Sequence, residues 1–143
     1  MIAVDSNLLI YAHRAGAPQH DAARRALEEA ANDPRGWGVA VPSLAELWMV
    51  TTHPSSPGGP SPGALVVAFV EALRAAGMQI WPLDAAAGPR LLAMAAALGV
   101  AGARIFDLQI GLCAFEAGAT EMWTHDHAFR APPGLRVRDP LRR

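Results

Sequence analysis

The chain has 143 residues, 52% of them hydrophobic and 17% charged, with a formal net charge of −1. That length suits a single domain, 1–143, with a substantial core and argues against disorder, while the near-neutral charge excludes nucleic-acid binding by global attraction and leaves room only for a local basic patch. No run approaches the roughly 20 apolar residues that span a bilayer, Met1 to Asp5 carry no basic segment of the signal-peptide kind, and Cys113 has no second cysteine to pair with, so a soluble, cytoplasmic protein without membrane partners is expected.

Ile2-Ala3-Val4 is a short apolar β-type run that ends at Asp5, and Asn7 to Ala12 begins a helix. From His20 to Ala31, the stripe of Ala22, Ala23, Ala26, Leu27 and Ala30 opposite charged residues predicts an amphipathic helix, stopped by Asn32-Asp33-Pro34 and Gly36. Trp37 to Val41 reads as a strand ended by Pro42, and a helix opens at Ser43 and continues through Glu46, Leu47, Trp48 and Val50. His53 to Gly63 holds four prolines and three glycines and must be a loop, exposed and suited to forming a rim for substrate or partner.

A helix with Leu65, Val66, Phe69, Val70 and Leu73 on its apolar face follows, started by Ser61 and Pro62 and stopped by Gly77. Met78 to Leu83 predicts a strand, and about Ala85 to Leu98 a helix whose start is blurred by Gly88-Pro89. Asp107 to Gly118 is apolar on every face (Leu108, Ile110, Leu112, Cys113, Phe115), the pattern of a central buried helix. Glu121 to Thr124 is a short strand, His125-Asp126-His127 the turn after it, and Leu135 to Val137 a closing edge strand. Strands alternating with helices predict an α/β three-layer fold around a mostly parallel sheet.

In such sheets ligands bind beyond the C-terminal strand ends. Asp5 and Asp126 fall at two of these ends, and Glu46 and Asp107 in the first turns of helices starting on the same side, so four acids would converge. Carboxylates repel one another, and a cluster of them makes physical sense chiefly around a cation; oxygen ligands without His or Cys favour Mg²⁺ or Mn²⁺. Such an ion joins carboxylates to phosphate oxygens and positions a water for in-line attack, which points to phosphodiester hydrolysis.

Each acid also has a local explanation. Ser43-Leu44-Ala45-Glu46 spells a capping box, Asp5 and Asp107 can serve as helix N-caps, and Asp126 as a turn residue. Asp33, Asp84 and Asp139 are explained by such local chemistry alone. His125 and His127, one residue apart on an extended segment, point to opposite faces and read as exposed turn residues rather than ligands. Trp37, Trp48, Trp81 and Trp123 read as core, and Cys113 as a small core residue. Arg14, Arg24 and Arg25 are candidates for contact with a nucleic-acid backbone or simply a solvated helix face. Arg104, three residues before Asp107, could pair with an acid, contact a phosphate or cap the loop.

Four segments in this order, Val4-Asp5-Ser6-Asn7-Leu8-Leu9-Ile10-Tyr11-Ala12, Leu44-Ala45-Glu46, Phe106-Asp107-Leu108-Gln109-Ile110 and Trp123-Thr124-His125-Asp126-His127-Ala128-Phe129, resemble a PIN domain of the VapC toxin type. Each motif is weak by itself; together, in register with the α/β pattern, they are specific and extend over essentially the whole chain. The resemblance implies a three-layer PIN-like fold and a Mg²⁺- or Mn²⁺-dependent RNA endonuclease, the toxin of a type II toxin–antitoxin pair. It also implies a cognate VapB-type antitoxin that lays a C-terminal segment across the acidic pocket, and a homodimer. Carried over, Asp5, Asp107 and Asp126 are metal ligands, Glu46 holds a second metal or a metal-bound water, and Asn7 and Thr124 support the pocket by hydrogen bonding. Two other readings stay open: a PIN-like binding or scaffold module with little turnover, and an aspartyl phosphatase with Asp5 as nucleophile. The second is opposed by Asn7, which stands where such enzymes carry another acid. Walker and dinucleotide glycine loops and the G-x-S-x-G elbow are absent.

Overall fold

The computed structural model describes residues 1–142. In chain order the elements are β1 (Ile2–Val4), α1 (Ser6–His13), α2 (His20–Asn32), β2 (Trp37–Ala40), α3 (Val41–Thr52) and α4 (Gly63–Ala75). Then come β3 (Met78–Trp81), α5 (Ala87–Leu98), a 3₁₀ turn (Gly102–Arg104), α6 (Ile105–Glu116), β4 (Glu121–Trp123) and β5 (Arg136–Arg138). The strands form one sheet in the order β3-β2-β1-β4-β5, every pair parallel.

Alternation along the short strands builds the three layers, because successive side chains leave opposite faces. Ile2, Val4, Val39 and Trp123 pack with Leu8, Leu9, Leu27, Leu47 and Val66 of α1 to α4 on one face. Ala3, Ala40 and Met122 pack with Ile110, Cys113 and Ala114 of α6 on the other. The connection from β4 to β5 contains no helix; it lies so close on α6 that a Cβ at Gly111 would sit 2.5 Å from Pro132.

The expected elements are present, with shifted ends. α3 starts at Val41, so Pro42 stands in its first turn, where the missing N–H has no helical partner to lose. β3 ends at Trp81, two residues early. In the Pro- and Gly-rich loop, Pro54, Pro57 and Pro60 are exposed while Ser56 is buried. Arg14 reaches over to this loop from the end of α1, donating to the carbonyls of Thr51 (3.2 Å) and Pro57 (2.5 Å) and to the Ser56 hydroxyl. Arg14 thus ties the end of α1 to this loop, whereas Arg24 and Arg25 are exposed on α2.

Two expectations about the core fail. Trp37, Trp81 and Trp123 are buried, but Trp48 is 48% exposed, its ring against Gly63 at the start of α4. Leu108, Ile110, Leu112 and Cys113 of α6 are buried as expected, but Phe115 near its end is 44% exposed. Among the described residues, no helix is long and apolar enough to cross a membrane.

Candidate active site

The sheet order places β1 between β2 and β4, with α1 to α4 on one face and α6 on the other, and at such a switch in strand order the crevice for a ligand lies beyond the C-terminal strand ends. Asp5 follows β1 directly, its N–H donating to the Trp123 carbonyl at 3.0 Å. Its carboxylate is 5% exposed and does two jobs. Oδ1 caps α1 by accepting from the Ser6 N–H at 2.8 Å, so the capping reading is correct. Oδ2 accepts from Thr124 Oγ1 at 2.7 Å and from Asn7 Nδ2 at 3.2 Å.

Asn7 and Thr124 knit the crevice together. Asn7 Nδ2 lies 2.9 Å from Thr124 Oγ1, and Asn7 Oδ1 accepts from the His125 N–H at 3.1 Å. Thr124 Oγ1 accepts in turn from the Asp126 N–H at 3.1 Å. The turn after β4 is thereby fixed to the start of α1.

Glu46 joins from α3, accepting through Oε2 from the Ser6 hydroxyl. Its capping-box explanation fails: the N-cap position of α3 is Ala40, and the buried Ser43 hydroxyl finds no partner. Asp107 stands in the first turn of α6, where the helix dipole favours a negative charge, but it does not cap the helix. Asp126 orders its own turn through the Ala128 N–H at 2.9 Å. Arg104 settles between these two acids, with Nη1 2.9 Å from Asp107 Oδ2 and 2.6 Å from Asp126 Oδ2. Of its three expected roles it takes the pairing one. Ser6, which no sequence motif marks, joins Asp5 to Glu46.

The electrostatics are uneven. Burial pushes the Asp5 carboxyl up to about 6; the Thr124 and Ser6 hydrogen bonds oppose this, and the negative charges of Glu46 and Asp107 add to it. Burial also works against charge on Asp126, yet Arg104, the Ala128 N–H and His127 together hold its carboxyl below the usual range. Four acids thus meet with one guanidinium among them, and the most buried acid has no cation bonded to it. Their donor set is all oxygen, they accept a cation between Asp107 and Asp126, and Asp5 lacks positive charge; these properties fit a hard divalent ion. A cleft of about 650 Å³ beside Tyr11, His13, Arg14 and Pro57 and another of about 400 Å³ under Phe69 and Leu73 include none of the four acids.

The histidines flanking Asp126 do not diverge. Past Trp123 the chain leaves the strand, alternation ceases, and both rings turn to Asp139: His125 Nδ1 lies 3.0 Å and His127 Nε2 3.8 Å from Asp139 Oδ2. Asp33 and Asp84 keep to local turn bonds, with Arg35 and Ala86. Asp139 makes the local bond too, to the Leu141 N–H at 2.9 Å, but has a second oxygen for the histidines.

A PIN domain family model matches residues 2–135. A search of curated proteins by sequence returned no match. Among solved structures, the chain is similar to VapC20 of Mycobacterium tuberculosis, described as a sarcin-ricin loop cleaving toxin, with a TM-score of 0.71 and 16% identity over 97% of this chain and 100% of that one. That likeness concerns the fold, and it agrees with the family match over nearly the whole length. The chain belongs to the PIN domain family.

Proposed function

We propose that this PIN domain is a divalent-metal-dependent endoribonuclease, the toxin of a VapBC-type toxin–antitoxin pair, acting in the cytoplasm on phosphodiester bonds of RNA. The observation that carries the reading is the convergence of Asp5, Glu46, Asp107 and Asp126 at the β1/β4 crevice with the buried Asp5 lacking any cation. The likeness to a solved VapC toxin supports it further.

Asp5, Asp107 and Asp126, with Glu46, would hold Mg²⁺ or Mn²⁺. Bound there, such an ion supplies Lewis-acid stabilisation of phosphate oxygens and a more acidic water. The protein's own part is to keep the acids in place. Thr124 and Asn7 aim Asp5, Ser6 aims Glu46, and the N-terminal turn of α6 supports charge on Asp107. Glu46, with one carboxylate oxygen engaged by Ser6, has the other for holding a water. Arg104, paired with Asp107 and Asp126, would have to give up these acids for a divalent ion to be held there, and its guanidinium would then suit a phosphate.

Trp48, Met49, Leu65 and Val67, exposed on α3 and α4, offer apolar surface for the protein partners this reading requires, a VapB-type antitoxin and a second copy of the chain. The test is cleavage of a panel of structured RNAs with Mg²⁺, with Mn²⁺ and with chelator, beside Asp5→Asn purified in parallel. Metal-dependent cutting lost in the variant is expected. Metal binding with no cutting above the variant's background would favour a PIN-like binding or scaffold module instead.

A further inference from the structure

We propose that His125, His127 and Asp139 form a second metal site, separate from the acid cluster and selective for a transition ion of the Zn²⁺ class. Their three ligand atoms lie within 4.8 Å of one another. A tetrahedral zinc with bonds of about 2.0–2.1 Å keeps its ligand atoms about 3.3 Å apart, so shifts of roughly an ångström complete the set. The two known separations, 3.0 Å and 3.8 Å from Asp139 Oδ2, bracket that spacing.

The surroundings are those of a held ligand set. The Asp139 side chain is 11% exposed, and its other oxygen is fixed by the Leu141 N–H. The backbone of His125 is anchored by Asn7, and its ring packs edge-on to Tyr11 with centroids 6.1 Å apart. His127, half exposed, leaves a path for an ion and room for water as fourth ligand. A cation already lies against the three groups: Arg142 Nη2 is 3.2 Å from His127 Nε2, and its Nε is 3.7 Å from Asp139 Oδ2. Arg142 is 70% exposed on the last stretch of the described chain and can swing out to water.

Two imidazoles and one carboxylate prefer Zn²⁺, Co²⁺ or Ni²⁺ to Mg²⁺, opposite to the all-oxygen acid cluster. The site joins the turn that carries Asp126 to the segment following β5. Ion binding there ties down the edge of the sheet beside the acid cluster.

The test uses Zn²⁺ and Co²⁺ alone, titrated into the full chain carrying Asp5→Asn and Asp107→Asn, so that the acid cluster is disabled. One ion per chain is expected, with visible ligand-field bands of four-coordinate Co²⁺ and a thermal midpoint that rises with Zn²⁺. His127→Ala, and separately Asp139→Asn, which keeps the Leu141 bond, should each weaken binding by roughly tenfold or more and remove the midpoint shift. Binding unchanged in both variants, no binding in the Asp5/Asp107 background, or no binding at all would each overturn the proposal. RNA cleavage is not the readout, so its failure and that of the nuclease reading are separable.

Discussion

The paired strands β1 and β4 carry a buried carboxylate at each end, and the two are treated in opposite ways. Glu121 begins β4 opposite Ile2, and Asp5 ends β1 beside Trp123; each is 5% exposed. Around Glu121 the chain gathers the Trp123 indole N–H at 2.8 Å, Arg35 at 3.0 Å and Arg136. The indole bond and then the two arginines outweigh burial, and the Glu121 carboxyl falls to about 2. Asp5 receives only neutral donors and two negative neighbours, and rises to about 6. A carboxylate that serves the fold is neutralised by the fold. One left without positive charge at the mouth of a parallel sheet is the one we propose to bind a cation from outside.

The comparison breaks first on activity. Asp5→Asn or Asp107→Asn should lower RNA cleavage by roughly 10²-fold or more with the circular dichroism unchanged, since each removes a ligand charge while nearly preserving shape. Glu121→Gln should leave the cleavage rate of folded protein near wild type; a comparable loss there would erase the distinction between the two carboxylates.

Stability should invert the order. Glu121→Gln removes charge-assisted hydrogen bonds from a buried group and should cost about 1–3 kcal/mol in denaturant unfolding. Asp5→Asn should stabilise the metal-free protein at pH 7. With the Asp5 carboxyl raised from 3.8 to about 6 in the fold, its contribution is full below pH 4 and is lost as pH rises through 6. The variant's advantage should therefore appear between pH 4 and pH 6 and reach up to about 3 kcal/mol above it. An advantage that grew toward acid pH would contradict the raised carboxyl.

Arg104→Gln sharpens the account at the next scale down. It removes the cation that bridges Asp107 and Asp126 and should tighten Mn²⁺ binding several-fold in calorimetry, since ion and guanidinium compete for the same oxygens. Looser binding would mean that Arg104 positions the acids rather than competing for them. The smallest expected effect is that of His127→Ala on Mg²⁺-dependent cleavage, which should stay near wild type.

The three layers, the parallel sheet and the meeting of the acids were legible because they rest on alternation, helical stripes and strand-end acids, which are local patterns with global meaning. Asp5 shows the limit of weighing a local role against a functional one, since it caps α1 and serves the crevice with different oxygens. What the pattern hid was direction. Trp48 and Phe115 sit in apolar stretches that do not announce which side faces water, and the alternation that would send His125 and His127 to opposite faces ends at Trp123. The turn chemistry of Asp139 is real, and its second oxygen leaves no mark in the sequence. The pairing of Arg104 with Asp126, 22 residues away, likewise depends on the fold.

We propose that cation demand at the β1/β4 crevice, rather than carboxylate burial as such, marks the working site. Mn²⁺ binding followed by electron paramagnetic resonance in wild type, Asp5→Asn and Glu121→Gln tests it most directly, with His127→Ala present in all three proteins to silence the histidine cluster. Bound Mn²⁺ in wild type and Glu121→Gln but strongly weakened in Asp5→Asn is the predicted result; equal Mn²⁺ affinity in all three would contradict the account.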